Sequence, residues 1–364
     1  MINFIIFVVI LALLVLVHEF GHFIVAKKSG IRVDEFGLGF PPRIFGKKFG
    51  ETEYTLNIIP FGGFVKIFGE NPADEAGEPA DLSRSMAHKS KWIQAAVLAA
   101  GVSFNVIFAW IIISIGLMFG LPTAVDNISN QKVTDAKVVI TTVVSKSPAE
   151  LAGLKPGDVL LSLKTAKTEL SKSVTPDTVH DLIAESDSPI SIEYSRGPKI
   201  FNTTVSAEKS LTENTRAIGI SMDMVGTLKL PIHLAFIEGA RKTGQLFVAV
   251  AVNIFFFLRD AVMIKADLTQ VAGPVGMVAL VGDAKDLGFS YLIFFTALLS
   301  INLAVINLIP FPALDGGRLF VLLIEAIKGS AIKPKFVNAL NTVGFALLII
   351  LMLLVTFHDI LKQF

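Results

Sequence analysis

The chain has 364 residues, enough for two or three soluble domains. Yet 52% of them are hydrophobic and only 17% charged, against roughly 25% charged in an ordinary globular domain, and the mean hydropathy is +0.65. The 32 basic and 31 acidic residues leave a net charge of +1, which offers no electrostatic footprint for nucleic acid, and the lack of Cys excludes disulfide frameworks, thiolate zinc sites and cysteine nucleophiles.

A helix needs about 20 apolar residues to cross a hydrocarbon core of roughly 30 Å, and four stretches reach that length. The first, residues 1–26, carries no charge over its first 17 positions and is then interrupted by His18, Glu19 and His22. Lys27 and Lys28 follow the apolar run and no Lys or Arg precedes it, so it reads as a retained span with its N-terminus outside. Residues 27–91 hold ten Lys or Arg, which the positive-inside rule assigns to the cytoplasm. Within them, 53–59 and 63–68, joined through Pro60-Phe61-Gly62, read as a β-hairpin. Residues 70–85, rich in Asp, Glu, Pro and Ala, read as a polar loop without chemistry.

The second span covers about 92–120. The long polar stretch 121–224 then lies outside, because long domains translocate regardless of their own charge. Residues 228–242 mix apolar side chains with Pro231, His233, Glu238, Arg241 and Lys242, a pattern suited to an interfacial helix. Residues 243–258 are 16 uncharged positions, a length ambiguous between a short span, an interfacial helix and a buried helix. The remaining spans cover about 287–309 and 336–357, and four Lys or Arg in 318–335 place the connection between them in the cytoplasm.

The sequence His18-Glu19-Phe20-Gly21-His22 is HExxH. Four residues are just over one helical turn, so both imidazoles project from one face and can share a metal ion, with Glu19 placed to take a proton from a metal-bound water. Each ionisable side chain within an apolar helix costs about 2.5–3.5 kcal/mol on insertion scales, which favours a metal site over a chance match. A catalytic zinc takes three protein ligands and keeps one open position. His88, His180, His233 and His358 read as ordinary surface or interfacial residues. Asp315 is different, because it ends an apolar run at Asn307-Leu308-Ile309-Pro310-Phe311-Pro312-Ala313-Leu314-Asp315-Gly316-Gly317. Irregular backbone at membrane depth is tolerated only where it is buried in protein or lines a polar cavity. Asp315 is therefore read as the third ligand rather than as a helix cap. Topology agrees: spans one and three both run toward the cytoplasm and bring the ligands to one side. That holds if 243–258 makes no further full crossing, so this stretch is expected to be re-entrant, interfacial or docked.

Asn105, Asn302 and Asn307 are amides inside apolar spans. Asn307, two turns before Asp315, and Asn105 are candidates for holding substrate backbone, whereas Asn302 reads as helix packing. A peptide bond within a transmembrane helix is reached only after local unwinding, and the freed backbone groups then need partners. An exposed β edge supplies them by strand addition.

With HExxH in the first span and Asn-x-x-Pro-x-Pro-x-x-Asp-Gly in a late one, the chain resembles the site-2 protease family of intramembrane zinc metalloproteases, in particular the bacterial RseP-type enzymes. The likeness extends to residues 32–40, to 53–66, to Gly101-Val102-Ser103-Phe104-Asn105 and to Gly273-Pro274-Val275-Gly276. It implies one zinc per chain held by His18, His22 and Asp315, with Glu19 as catalytic acid–base. It also implies a membrane-associated β loop at about 50–68, where Gly62, Gly63 and Phe64 would meet the substrate. Residues 143–160 resemble a permuted bacterial PDZ domain, for which Ile218, Gly219 and Ile220 are a candidate peptide-binding loop. Two departures stand out: Val102 replaces a Pro common in relatives, and one PDZ-sized module stands where the best-known RseP-type proteins have two.

The expected fold class is a polytopic α-helical membrane protein with four transmembrane helices, a membrane-associated β-hairpin and an inserted extracytoplasmic α+β PDZ domain. Its parts are residues 1–120, 121–224, 225–285 and 286–364. The function that follows is regulated intramembrane proteolysis in the inner (cytoplasmic) membrane of a bacterium, with the termini outside and the active site toward the cytoplasm. The expected partners are the lipid bilayer and single-span membrane protein substrates, such as a pre-trimmed anti-sigma factor or remnant signal peptides. The competing readings are a membrane-anchored zincin acting outside the bilayer and a non-catalytic PDZ scaffold with a structural metal site.

Overall fold

The computed structural model describes residues 1–70, 82–124, 133–171, 174–209, 216–263, 265 and 272–361. Most of the polar loop expected at 70–85 lies outside these residues. The chain divides into two compact units: Met1–Ser114 with Phe236–Gly282 and Phe295–Phe364, and Ile115–Ala235 with Asp283–Phe294.

In the first unit, α1 (Ile2–Lys28) leads into β1 (Val33–Phe49) and β2 (Thr52–Ile67), then through two short 3-10 turns to α2 (Lys91–Phe119). Two glycines let α1 and α2 approach closely. A Cβ on Gly21 would lie 2.5 Å from the carbonyl oxygen of Ala100, and one on Gly101 would lie 2.4 Å from His22 Nε2. Ala26, Ile31, Val33, Val97, Leu98 and Leu322 form a core where these elements meet.

The two β segments expected to pair with each other do not. Residues 52–57 pair with 43–49 on one side and with 35–38 on the other, while among the described residues 63–67 pair only with the start of β1. Both β1 and β2 therefore fold back on themselves, giving a spatial order 43–49, 52–57, 33–38, 63–67. The hairpin expectation is corrected to a doubled-over hairpin in which 63–67 is an edge. The sequence-level reading saw only the local turn at 60–62, and the competing partner lies some 30 residues upstream.

The C-terminal part of this unit contains most of α5 (Ile232–Val262), the larger part of α6 (Pro274–Leu287), α7 (Phe289–Leu308) from Phe295 onward, α8 (Asp315–Lys328) and α9 (Pro334–Leu361). The amphipathic stretch 228–242 and the apolar stretch 243–258, read separately from sequence, belong largely to one helix of 31 residues. Ala235, Gly239 and Thr243, spaced four apart, are buried, whereas Arg241 stays exposed. The charge therefore does not interrupt the packed stripe. Trp110 Nε1–H donates to the carbonyl of Phe236 at 2.9 Å, and Gly239 abuts Ser114. Five described helices are long and apolar enough to cross a membrane: Ile2–Lys28, Lys91–Phe119, Ile232–Ala261, Phe289–Leu308 and Pro334–Leu361.

The second unit is built on an antiparallel sheet in the order β3 (Leu121–Ala124), β11 (Ile220–Leu228), β4 (Thr134–Val143), β5 (Val159–Lys164), β7 (Ile190–Arg196), β8 (Lys199–Val205). A short β6 (Glu169–Leu170) pairs with β5, and β9 (Glu208–Lys209) pairs with β10 (Arg216–Ala217). Alternate residues Ile190, Ile192 and Tyr194 point inward with Val138, Ile140 and Leu163, the period-2 pattern of a half-buried sheet. Helix α4 (Pro176–Glu185) covers this core with Val179 and Ile183, one turn apart, and starts at a Thr175–Thr178 capping box. Helix α3 (Pro148–Leu151) is capped by Ser147.

Asp158 is fully buried in this unit. Its Oδ1 accepts from Arg196 Nε at 2.7 Å, and its Oδ2 accepts from Arg196 Nη2 and the Lys155 backbone N–H, each at 2.8 Å. The buried carboxylate raises the pKa of Arg196.

Candidate metal centre

His18 and His22 lie one turn apart on α1, with Nε2 atoms 3.2 Å from each other. Asp315, the first residue of α8, sends Oδ2 to within 3.0 Å of His18 Nε2 and 3.3 Å of His22 Nε2. Pro310 and Pro312 end the preceding helix, and Ala313 adopts φ 72°. Gly316 and Gly317 allow the chain to double back, since a Cβ on either would fall 2.3 Å from the Leu308 carbonyl oxygen or 2.1 Å from that of Phe311.

These three atoms meet the demands of zinc. Ligands about 2.0–2.1 Å from a tetrahedral zinc stand about 3.3 Å apart, close to the three separations found here. Asp315 Oδ2 is buried and accepts no aligned hydrogen bond from a described residue, an acceptor that protein groups leave open. Gly101 supplies the space, because a Cβ there would sit 2.4 Å from His22 Nε2 and 2.8 Å from His18 Nε2. His22 Nδ1 lies 2.8 Å from the Val97 carbonyl, which accepts its proton and leaves Nε2 with a free lone pair.

A cavity of about 200 Å³ opens on this cluster, lined among others by His18, Glu19, His22, Phe64, Val65 and Asp315. Gly63 faces Glu19: a Cβ there would lie 3.5 Å from Glu19 Cγ and only 2.9 Å from the Gly37 carbonyl oxygen, so the strand approaches this closely because the residue is glycine. The Val65 backbone N–H faces the Glu19 carboxylate. The 63–67 edge therefore borders the cavity through Phe64, Val65 and Ile67 and presents at least the Val65 N–H to it. Gly62, with φ 114°, packs against Phe40.

Asn307 Nδ2 lies 3.4 Å from His18 Nε2, so this amide borders the cluster. Asn105 lies beyond His18 and is fully buried against its Nδ1 at 3.2 Å. Asn302 bonds to the carbonyl of Leu298 in its own helix. Ile218, Gly219 and Ile220 belong to the sheet unit, at the entry to β11. There the carbonyls of Ile218 and Gly219 accept from the N–H groups of Ala149 and Val144.

The sequence-level reading missed Gly101 as a wall of the site, although Gly101 and Asn105 stand one turn apart and that spacing was available as a signal. It also missed Glu70, which lines the cavity and pairs with Arg318 on α8, and the Val97 carbonyl, which carries no sequence signal.

The comparisons with known proteins agree with this chemistry. The profile described as peptidase family M50 matches residues 6–351. A Clostridium perfringens protein whose name places it among the zinc metalloproteases is 40% identical over 96% of this chain and 95% of its own length. The regulator of sigma-W protease RasP of Bacillus subtilis is 29% identical over 98% of both chains. The chloroplastic membrane metalloprotease ARASP of Arabidopsis thaliana is 31% identical over 98% of this chain and 78% of its own. With the profile covering nearly the whole chain, and apolar helices long enough to span a bilayer, the protein belongs to peptidase family M50, the site-2 protease family, and is a multi-pass membrane zinc metalloprotease.

Proposed function

We propose that this protein cleaves peptide bonds within the transmembrane segments of single-span membrane proteins, with one zinc held by His18, His22 and Asp315. The observation that carries this reading is the convergence of those three ligand atoms, the Glu19 carboxylate and an open β edge on one cavity. Bound there, zinc supplies a Lewis acid that polarises the scissile carbonyl and brings the pKa of a coordinated water to about 7. Glu19 takes the proton from the attacking water and returns it to the leaving amine. Residues 63–67 hold the unwound substrate as an added strand, with Gly62, Gly63 and Phe64 at its contact, and the Asn307 amide steadies substrate backbone beside the metal.

Four spans fit this chemistry: α1, α2, α7 and α9, with the active site toward the cytoplasm and both termini outside. Helix α5 begins beside the outer end of α2, through Trp110–Phe236 and Ser114–Gly239. The chain returns at Gly276, whose N–H donates at 2.8 Å to Asp359 near the outer end of α9. These contacts favour no net crossing between residues 236 and 276, so α5 is a re-entrant or membrane-docked helix. The parts remain 1–120, 121–224, 225–285 and 286–364. The second is a single PDZ-type module that admits substrates already trimmed of bulky outer domains, with 218–220 as its peptide loop. A membrane-anchored anti-sigma factor and remnant signal peptides are substrates of the required form, and a bacterial cytoplasmic membrane is the setting.

The test uses purified protein in detergent with a tagged single-span substrate, comparing wild type with Glu19→Gln. Zinc should stay near one per chain while cleavage falls by about 10²–10⁴-fold, the usual worth of a general acid–base. Equal cleavage by the variant would remove Glu19 from the mechanism.

A further inference from the structure

The two imidazoles of the centre are held differently on their far sides. A metal-ligating His almost always donates its other ring N–H to an acceptor, which sets its tautomer and orientation. For His22 that acceptor is the Val97 carbonyl, 2.8 Å from Nδ1. For His18 the group facing Nδ1 is the Asn105 side chain at 3.2 Å. The Asn105 side-chain oxygen is buried without a hydrogen-bond donor among the described residues, an unsatisfied acceptor that costs about 1–3 kcal/mol.

With Nε2 of His18 turned to a metal, Nδ1 must carry the proton, and it then needs an oxygen rather than an amide N–H. A half-turn of the Asn105 amide puts its oxygen where its nitrogen stands, so that this oxygen and the His18 Nδ1 proton satisfy each other while the amide NH2 takes the oxygen's former place. The Asn105 main chain is also fixed: Ser300 on α7 donates its hydroxyl to the Asn105 backbone carbonyl at 2.8 Å, and Ser300 is itself buried. With no exposed surface, the Asn105 side chain offers no face to a substrate.

We propose that Asn105 is a positioning residue of the metal centre. Its side-chain oxygen accepts the Nδ1 proton of His18 and holds that imidazole in the tautomer that turns Nε2 to the metal. This rests on reading His18, His22 and Asp315 as the ligands, and it moves Asn105 from substrate binding to support of the metal.

The test measures zinc affinity by competition with a chromogenic chelator for wild type, Asn105→Leu, Asn105→Asp and His18→Ala, all as full-length protein in detergent. Asn105→Leu, similar in size but without an acceptor, should bind zinc about 10–100-fold more weakly. Asn105→Asp, which restores the acceptor, should bind at least as tightly as wild type. A purely structural or substrate-binding Asn105 gives a different pattern: either Leu binds zinc like wild type, or Asp is as weak as Leu. Either result overturns the proposal. A second readout needs no variant at position 105. Nitrogen NMR of zinc-loaded wild type labelled at histidine, with His18→Ala to assign the signal, should show His18 protonated at Nδ1 and metal-bound at Nε2, and the reverse overturns it. If His18→Ala keeps its zinc, the ligand assignment itself has failed. If His18→Ala loses zinc while Asn105→Leu keeps it, only the role of Asn105 has failed.

Discussion

Among the described residues, two largely buried polar clusters solve opposite problems. In the sheet unit, Asp158 accepts three hydrogen bonds, two from Arg196 and one from the Lys155 backbone, so charge and lone pairs are met from within. In the helical unit, two imidazoles and a carboxylate converge with acceptors facing one another, and Asp315 Oδ2 is left without a hydrogen bond from the described residues. A satisfied cluster needs nothing further and serves the fold, since a buried charge is tolerated when it is paired and bonded. A cluster left open in this way fits the proposed zinc, which would supply the partner that protein groups do not.

The sharpest way to break this contrast is Gly101→Ala. Alanine favours a helix over glycine by about 1 kcal/mol, so α2 itself should not suffer. The added Cβ would nevertheless fall 2.4 Å from His22 Nε2 and 2.8 Å from His18 Nε2. Zinc per chain, measured by atomic absorption, should drop from near one toward zero, with cleavage lost alongside it. Retention of full zinc would mean that the helices part easily and that Gly101 is not a wall of the site.

Asp158→Ala probes the other cluster. Removing the acceptor of the partly exposed Arg196 guanidinium and of the Lys155 backbone N–H should destabilise the sheet unit by about 1–3 kcal/mol. The checks are thermal or urea unfolding followed by a probe in that unit, with zinc content at low temperature unchanged. Loss of zinc in this variant would show that the two clusters do not serve separate ends.

The smallest expected effect lies at Glu51, in the turn between β1 and β2. Hydrogen bonds from Arg84 and Lys27, at 2.7 and 2.5 Å, hold its carboxyl well below the usual range, at about 2. A carboxylate whose folded pKa is depressed adds stability above its unfolded pKa and loses it as pH falls through the folded value. Wild type should therefore exceed Glu51→Gln in thermal stability at pH 6, and the gap should close between about pH 4.5 and 2. A gap independent of pH would remove the ion pairs from the account.

How much of this was legible in the sequence differs between elements for identifiable reasons. HExxH needs only helical spacing to bring two imidazoles to one face, and the Pro- and Gly-rich run before Asp315 marks broken backbone without reference to any neighbour. The strand partners of 52–57 and 63–67 differ from the local reading because both segments pair with 33–38, about 18 and some 30 residues upstream, a segment that no local pattern announces. Helix α5 was divided at Arg241 and Lys242, although the buried stripe Ala235, Gly239 and Thr243 runs past Arg241, which faces elsewhere.

The sequence by itself determined the membrane class, the two histidines, the Glu19 between them and the carboxylate that would join them, because composition and short-range periodicity act within one element. Only the tertiary structure decided that 63–67 is an edge beside Glu19, that Gly101 leaves space between the imidazoles and that Asn105 stands behind His18. Those facts depend on how closely separate helices and strands approach, and that distance is set by packing across the chain.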